Sequence, residues 1–512
     1  MILASPRRWG EPSEAAFVVR FVLLALAAVL VPVLIGELGL QSPFHYLVPL
    51  SGAVILAAAY IRWPAEALLV FAFVVLFYDT IAYYFNGPIK QLDEFAVALI
   101  TLIAFVRAAP RWRSWIWWPR DLAFALVLVM ALVSTFVNAV PAGIWIPALL
   151  LVGKPIAFLY AAMWTEFRPW EIRGGMRAGL GVASVTLALG LVEVVIPGAF
   201  DAVFRLPVFE ARSALPVVKS IFVHPGPFGY FMTFVAMFTF AAFLVTRKLR
   251  WLLIGLAFSL GTILSARRRA ILSLLAGLGA AFLESLRKRP SPRQVFREWW
   301  PIATGVGLLL IAFIPVFIGL VDLTVDRFVE DPPGEITGGE AVDADATPPA
   351  RAALYIGAVE IASDRFPLGA GLGRYASWMS RIEYSPLYEE YGLDARRGLD
   401  RENPIYTTDT FWPQILGEFG IIGLAAYVAF LATILYQLWR ESGRPDGGAL
   451  RILRLAAGMV FAQALVESAA NAMFHSPPRV YLLFLVIGAV LSIGWRTRAS
   501  RAAPSDPPPA GA

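Results

Sequence analysis

Residues 228–245 read FGYFMTFVAMFTFAAFLV. No charge interrupts them. His224-Pro225-Gly226-Pro227 precedes the run, and Arg247, Lys248 and Arg250 follow it. As a helix rising about 1.5 Å per residue, such a stretch crosses a hydrocarbon core of roughly 30 Å. Thirteen more apolar runs lie at 17–35, 45–61, 65–85, 95–106, 122–138, 146–164, 178–197, 251–265, 270–283, 300–321, 411–437, 452–470 and 479–495. The pattern predicts an all-α polytopic membrane protein with about fourteen transmembrane helices. Composition agrees: 58% of the 512 residues are hydrophobic and 16% charged, against about 25% charged in soluble domains. That excludes a disordered chain, a soluble enzyme and, despite a net charge of +6, a nucleic-acid-binding domain. The chain has no cysteine, so neither disulfides nor thiolate chemistry are available. Its three histidines, His45, His224 and His475, lack ligand spacing, so no metal and no cofactor is expected.

Lys and Arg concentrate in alternate loops: Arg107 and Arg120; Arg168, Arg173 and Arg177; Arg247, Lys248 and Arg250; Arg287 to Arg297; Arg440 to Arg454; and Arg496 to Arg501. By the positive-inside rule these loops and both termini are cytoplasmic. The high pI then reports membrane orientation, with a basic inner and an acidic outer side. Residues 1–321 carry the first eleven spans, 322–410 form one large external loop, 411–495 carry the last three spans, and 496–512 form a Pro/Ala-rich tail expected to be disordered. Within the loop, 330–349 is an acidic, Gly/Pro-containing insert without EF-hand spacing. The part at 350–410 opens with an amphipathic helical pattern, apolar at 354, 355, 358, 361 and 362, and is expected to fold on the membrane domain.

Ionisable residues within spans are costly and usually functional. Asp79, Lys154, Glu193, Glu418 and Glu467 all fall in outer halves of spans on this topology, as do the histidines on the outer side. Each could be a helix-end residue snorkelling to the interface, but the shared depth suggests a polar cavity open to the outside. Arg267-Arg268-Arg269 opposes the positive-inside rule by lying in a short outer turn. Either the flanking runs form a re-entrant pair or the turn is an anion site, for which the planar guanidinium fork suits phosphate. Arg212 and Lys219, in the preceding external loop, are candidates to converge on the same anion. Gly369, Gly371 and Gly373 have no strand before them and no Lys-Ser/Thr after, and read as a tight turn.

Three stretches together resemble the bacterial O-antigen ligase and polysaccharide polymerase superfamily. Phe222-Val223-His224-Pro225-Gly226-Pro227-Phe228-Gly229 is similar to the family's F-x-N-P-N-x-x-G start of a span, and Ser265-Ala266-Arg267-Arg268-Arg269-Ala270 to its S-R-G-A turn. The strongest is Phe366-Pro367-Leu368-Gly369-Ala370-Gly371-Leu372-Gly373 followed by Gln414-Ile415-Leu416-Gly417-Glu418-Phe419-Gly420. Nine residues before Glu418 the family's His is replaced by Asp409, and its Asn by Thr410.

The resemblance covers roughly 205–437. It implies a metal-independent, inverting glycosyltransferase of GT-C-like fold in the bacterial inner membrane, with its active site facing the periplasm. Its donor would be an undecaprenyl-pyrophosphate-linked glycan. Its acceptor would be another lipid-linked glycan (polymerase) or lipid A-core (ligase), with a chain-length regulator or flippase as a further partner. Arg268 and Arg351 would stabilise the leaving pyrophosphate, and Asp409 would act as the base. Arg267, Arg269, Arg212, Lys219, His224, Lys154, Trp412 and Glu418 would line the substrate site. A lipid-linked oligosaccharide transporter is the competing class. It would place polar groups near the midplane and show inverted repeats, whereas here they cluster outward and no repeat is evident.

Overall fold

The computed structural model describes residues 13–37, 46–85, 91–110, 119–207, 217–288, 291–314, 350–444, 448–475, 477 and 479–502. Arg212, His45 and the acidic stretch 330–349 lie outside these residues. Among the described residues the regular structure is wholly helical. The first eight helices are α1 (Glu14–Glu37), α2 (Leu47–Arg62), α3 (Pro64–Leu76), α4 (Tyr78–Phe85), α5 (Leu92–Ala108), α6 (Pro119–Val137), α7 (Ala142–Trp164) and α8 (Pro169–Val195). Next come α9 (Pro197–Phe204), α10 (Pro225–Thr246), α11 (Leu249–Leu264), α12 (Arg268–Lys288) and α13 (Pro292–Ala312). After the undescribed stretch follow α14 (Ala350–Asp364) and the short α15 (Trp378–Ile382) and α16 (Leu387–Glu390), then α17 (Trp412–Ser442), α18 (Gly448–Ser468) and α19 (Arg479–Ala502).

The chain is a multi-pass membrane protein. Nine of the described helices are long and apolar enough to cross a bilayer, or ten if α3 and α4, bent by 59°, form one broken span. Three shorter apolar helices, Leu47–Arg62, Leu249–Leu264 and Arg479–Gly494, accompany them. Each of the fourteen apolar runs contains a described helix, but only nine or ten of these helices are long and apolar enough to span, fewer than the fourteen expected. The last helix continues to Ala502, past residue 496, where the tail was expected to begin. Its Arg- and Ala-rich residues are good helix formers, which hydropathy alone does not register.

α10, the stretch 228–245 with its flanks, is the central helix. It is buried nearly all round, as a helix without a polar face must be. Phe71, Phe158, Phe231 and Tyr481 pack in the same core, with Phe71 and Phe158 ring centroids 4.9 Å apart. Peripheral helices turn apolar residues outward, such as Leu23, Leu26 and Leu34 of α1 and Leu122, Val129 and Val137 of α6, the surface a lipid solvent requires.

The helices share two ends. At one, Arg173 Nε donates to Glu14 Oε1 at 2.7 Å and Arg287 Nη2 to Trp439 O at 3.3 Å. There too, Arg247 pairs with Glu298 at 2.5 Å and Arg444 Nη1 donates to Gly494 O at 3.3 Å. These are members of the basic loops, gathered as the charge alternation predicts. The other end carries the 265–267 turn, the start of α10, the start of α19 and the 350–411 segment.

That segment folds over the bundle. α14 buries Ala353, Leu354, Ala358 and Ile361 with Tyr375, Tyr388, Leu393 and Leu399. Burial raises the Tyr375 and Tyr388 hydroxyls well above the usual phenol range, so both remain protonated. Tyr375 donates to Leu354 O at 2.8 Å.

The 366–373 stretch docks on a break in α17. Gly420 there has φ 67 and ψ −171, a region open essentially to glycine. The N–H of Ala370 donates to Gly417 O at 2.8 Å and that of Gly371 to Glu418 O at 3.0 Å. Gly369, Gly371 and Gly373 all have positive φ, which only glycine adopts without strain. The end of α6 completes the seat: Ser134 Oγ donates to Glu418 O at 2.9 Å, Asn138 Nδ2 to Gly369 O at 2.9 Å, and Leu372 N to Thr135 Oγ1 at 3.1 Å.

The two ends make orientation measurable, because the chain has no cysteine of its own. Glu383 and Arg250 are exposed at opposite ends. In intact spheroplasts a membrane-impermeant maleimide is expected to label a Glu383→Cys variant and to reach an Arg250→Cys variant only after permeabilisation. Labelling in the reverse order would contradict the charge-based orientation.

Candidate active site

The site begins where the α11–α12 turn sits on the first turn of α10. The turn can sit there because Gly226 and Gly229 carry no side chain. A Cβ on Gly229 would collide with Ser265 Oγ and stand 3.3 Å from Ala270 Cβ. A Cβ on Gly226 would stand 3.0 Å from both Arg269 Nη2 and His224 Nδ1. Val218 N donates to Leu264 O at 3.1 Å and holds the preceding segment along the same turn. The first two sequence motifs are therefore one packing unit.

His224 caps α10, its Nδ1 accepting from Gly226 N at 3.0 Å. Its Nε2 lies 3.1 Å from Arg267 Nη2, so the cap of α10 and the turn are joined through this ring. Arg268 is exposed at the start of α12. Arg269 turns the other way: its Nη1 donates to Ala470 O at 3.1 Å, just past the C-terminal end of α18, whose carbonyls favour a cation. Tyr355 OH donates to the neighbouring Ala469 O at 2.9 Å, and Trp412 Nε1 to Ser468 Oγ at 2.9 Å.

Arg269 lies within electrostatic range of Arg479, Glu467, Arg351 and Asp409. Arg351 Nη2 pairs with Asp409 Oδ2 at 2.6 Å, both partly exposed. Glu467 is buried, with Arg479 Nη1 3.7 Å away and Ser273 Oγ donating at 3.4 Å. The Nε and Nη1 of Arg479 are buried without a hydrogen-bond partner among the described residues. Arg269, Arg351 and Arg479 thus meet two carboxylates, Asp409 and Glu467, and this group of five is positive.

Several expected site residues lie elsewhere. Lys219 is buried against Glu193, Nζ to Oε1 3.4 Å, while Glu193 also accepts from the N–H groups of Lys219 and Ser220 at 3.0 and 2.6 Å. Its charge is spent inside the protein rather than offered to an anion. Lys154 pairs with Asp93 at 2.8 Å and Glu94 at 3.4 Å, and Tyr481 OH donates to Asp93 at 2.9 Å. Glu418 is fully buried and accepts from Tyr375 N at 3.1 Å and Gln414 Nε2 at 3.3 Å, so it anchors the loop to α17. Burial against Phe411 and Tyr427 pushes the His475 imidazole down to about 3 and keeps it neutral. Among the described residues no three His, Asp or Glu side chains gather as a metal site.

Sequence reading missed Arg479. Its signal was the one that exposed the triplet, an arginine at the outer end of an apolar run. The Ser134, Thr135 and Asn138 seat carried no such signal, since hydroxyl and amide groups near a helix end are ordinary.

Residues 252–428 match the family model for O-Antigen ligase (Wzy_C). The match includes Arg267–Arg269, Arg351, Asp409 and Glu418, and ends before Arg479. No curated protein matches the chain.

The packing of the turn on α10 has a stability consequence. Gly229→Ala forces the turn outward and is expected to destabilise the protein by roughly 1–3 kcal/mol, the usual cost of overpacking. Adding Ser265→Gly removes the colliding atoms, so the double variant should regain much of the lost melting temperature in detergent. Equal melting temperatures for the single and double variants would show that the contact is not made.

Proposed function

Because residues 252–428 form an O-antigen ligase family domain, we propose that this chain is a glycosyltransferase of the bacterial inner membrane. In this reading all fourteen apolar helices lie in the bilayer and the arginine-rich end faces the periplasm. The donor is a glycan on undecaprenyl pyrophosphate, and the acceptor is a second lipid-linked glycan, so that a surface polysaccharide grows. The observation that carries the reading is the convergence of Arg269, Arg351 and Asp409 around the end of α18. A lipid-borne pyrophosphate is the anion such a place fits.

The reaction needs no group beyond this chain's own side chains. An acceptor hydroxyl attacks the anomeric carbon. The new C–O bond forms as the bond to the pyrophosphate oxygen breaks, inverting the centre, and the hydroxyl proton passes to Asp409. Negative charge grows on the leaving pyrophosphate, where Arg269, Arg351 and Arg267 stabilise it. In the resting protein Asp409 is engaged by Arg351. A pyrophosphate that draws Arg351 to itself frees the Asp409 carboxylate to accept the proton, which couples donor binding to readiness of the base. Arg269 takes the central place in this scheme, with Arg268, exposed beside it, as an outer contact.

Asp409, standing where the family carries His, favours the polymerase role. The family's own description, O-Antigen ligase, favours the ligase role. Gel analysis of surface glycans after gene deletion separates them: capped single repeats mark a lost polymerase, and full chains left on the lipid carrier mark a lost ligase.

The anion assignment is tested with purified protein and lipid-linked donor in a chain-growth assay. Arg269→Ala and Arg351→Ala are each expected to lower turnover ~100–1000-fold, as loss of a transition-state donor does. Asp409→Asn is expected to lower it ~100-fold or more. Unchanged turnover in both arginine variants would refute the assignment.

A further inference from the structure

The 350–411 segment leaves large apolar side chains uncovered where it is seated. Phe366, which opens the docked stretch, is 72% exposed, and Trp378 and Ile382 of α15 are 50% and 55% exposed. Trp378 and Ile382 stand four residues apart, on one face of their helical turn. Three membrane-crossing helices give the depth of these residues. α6 uses all 19 of its residues, roughly 27 Å, to cross a hydrocarbon core of about 30 Å. Asn138, the next residue, donates to Gly369 O, so the docked stretch meets α6 where the hydrocarbon ends. In α17, Gly420 stands roughly 28 Å along the axis from Trp439 at the opposite end. A Cβ on Gly420 would collide with Pro367 O, so the residue after Phe366 lies at that same level. α7 gives the matching depth for α15. A Cβ on Gly373 would stand 2.7 Å from Ile144 Cγ2 and 3.1 Å from Met379 Cβ. Ile144 in turn lies roughly 30 Å from Trp164 at the far end of α7.

We propose that this segment is seated in the bilayer leaflet at the arginine-rich end, with Phe366, Trp378 and Ile382 inserted where headgroups meet acyl chains. The inference does not depend on the reaction proposed above. Lipid is the partner because the surface on both sides of Phe366 already faces lipid. Phe136 and Val137 end α6, and Ile421 and Ile422 follow the break in α17; all four are exposed on helices long and apolar enough to cross a bilayer. Phe366 extends that belt onto the segment. Arg381 adds a polar contact, its guanidinium lying 5.5 Å from the Trp378 ring centroid. A Trp at headgroup depth with a cation reaching towards lipid phosphate is a common interfacial anchor. Insertion fixes the height of the segment against the bundle, adding a lipid contact to the hydrogen bonds at Gly417 and Glu418.

The test uses the full-length protein in nanodiscs of phosphatidylethanolamine and phosphatidylglycerol. The chain has no cysteine, so a nitroxide is placed singly through Phe366→Cys, Trp378→Cys, Glu383→Cys or Leu26→Cys. Leu26 of α1 is the hydrocarbon reference, and the exposed Glu383 is the aqueous one. Power saturation reads collisions with oxygen, which concentrates in hydrocarbon, and with a water-soluble nickel chelate. At 366 and 378 the nitroxide is expected to lose most of the nickel collisions seen at 383 and to meet oxygen nearly as often as at 26. Either position meeting the nickel chelate as freely as 383 overturns the insertion. Shielding from both reagents overturns it too, since protein, such as a second copy of the chain, would then cover the patch. All four side chains are exposed, so no variant removes a core contact, and two separate positions carry the test.

Discussion

Two missing side chains fix the geometry of the site. Gly226 and Gly229 let the α11–α12 turn lie directly on the first turn of α10, with Ser265 at a distance no Cβ on Gly229 would permit and Arg269 in tight contact over Gly226. α10 is the most buried of the nine long apolar helices, so whatever is seated on its first turn is held by the core. Arginines on a free loop would average over many orientations. Here the turn's own packing aims Arg267 at His224 and Arg269 at the end of α18, before any substrate arrives.

The second half of the site is delivered by a different device. The 350–411 segment is anchored by backbone hydrogen bonds to the break in α17 and by the buried Glu418 carboxylate. This anchoring carries Arg351 and Asp409 to the rim of the cluster. Gathering several guanidinium groups near a low-dielectric interior is unfavourable on its own, and Asp409 and Glu467 offset it in part. The arrangement has the form of a preorganised electrostatic site, whose stabilisation is realised when negative charge develops within it.

Much of this was legible from residue types alone. Apolar runs identified every long helix, and the alternation of Arg and Lys sorted loop ends into the two groups that the hydrogen bonds join. The triplet at 267–269 declared itself by standing on the wrong side. What hydropathy could not supply was direction. It does not register the 59° bend after Leu76 or the non-helical Gly420 inside α17, because both are changes of backbone course within apolar sequence. Nor could it assign charge partners. Lys219 and Arg269 look alike as basic residues near one outer loop, yet Lys219 meets Glu193 26 residues away, while Arg269 is left to face Arg351 and Asp409. Only the three-dimensional pairing separates a neutralised charge from an available one.

A structure of the protein in nanodiscs with bound polyprenyl pyrophosphate would test the central claim most directly. The account predicts phosphate oxygens within hydrogen-bond reach of Arg269 and Arg351, between the first turn of α10 and the end of α18. Phosphate density at the opposite end of the bundle, or at this end but out of reach of both arginines, would contradict it.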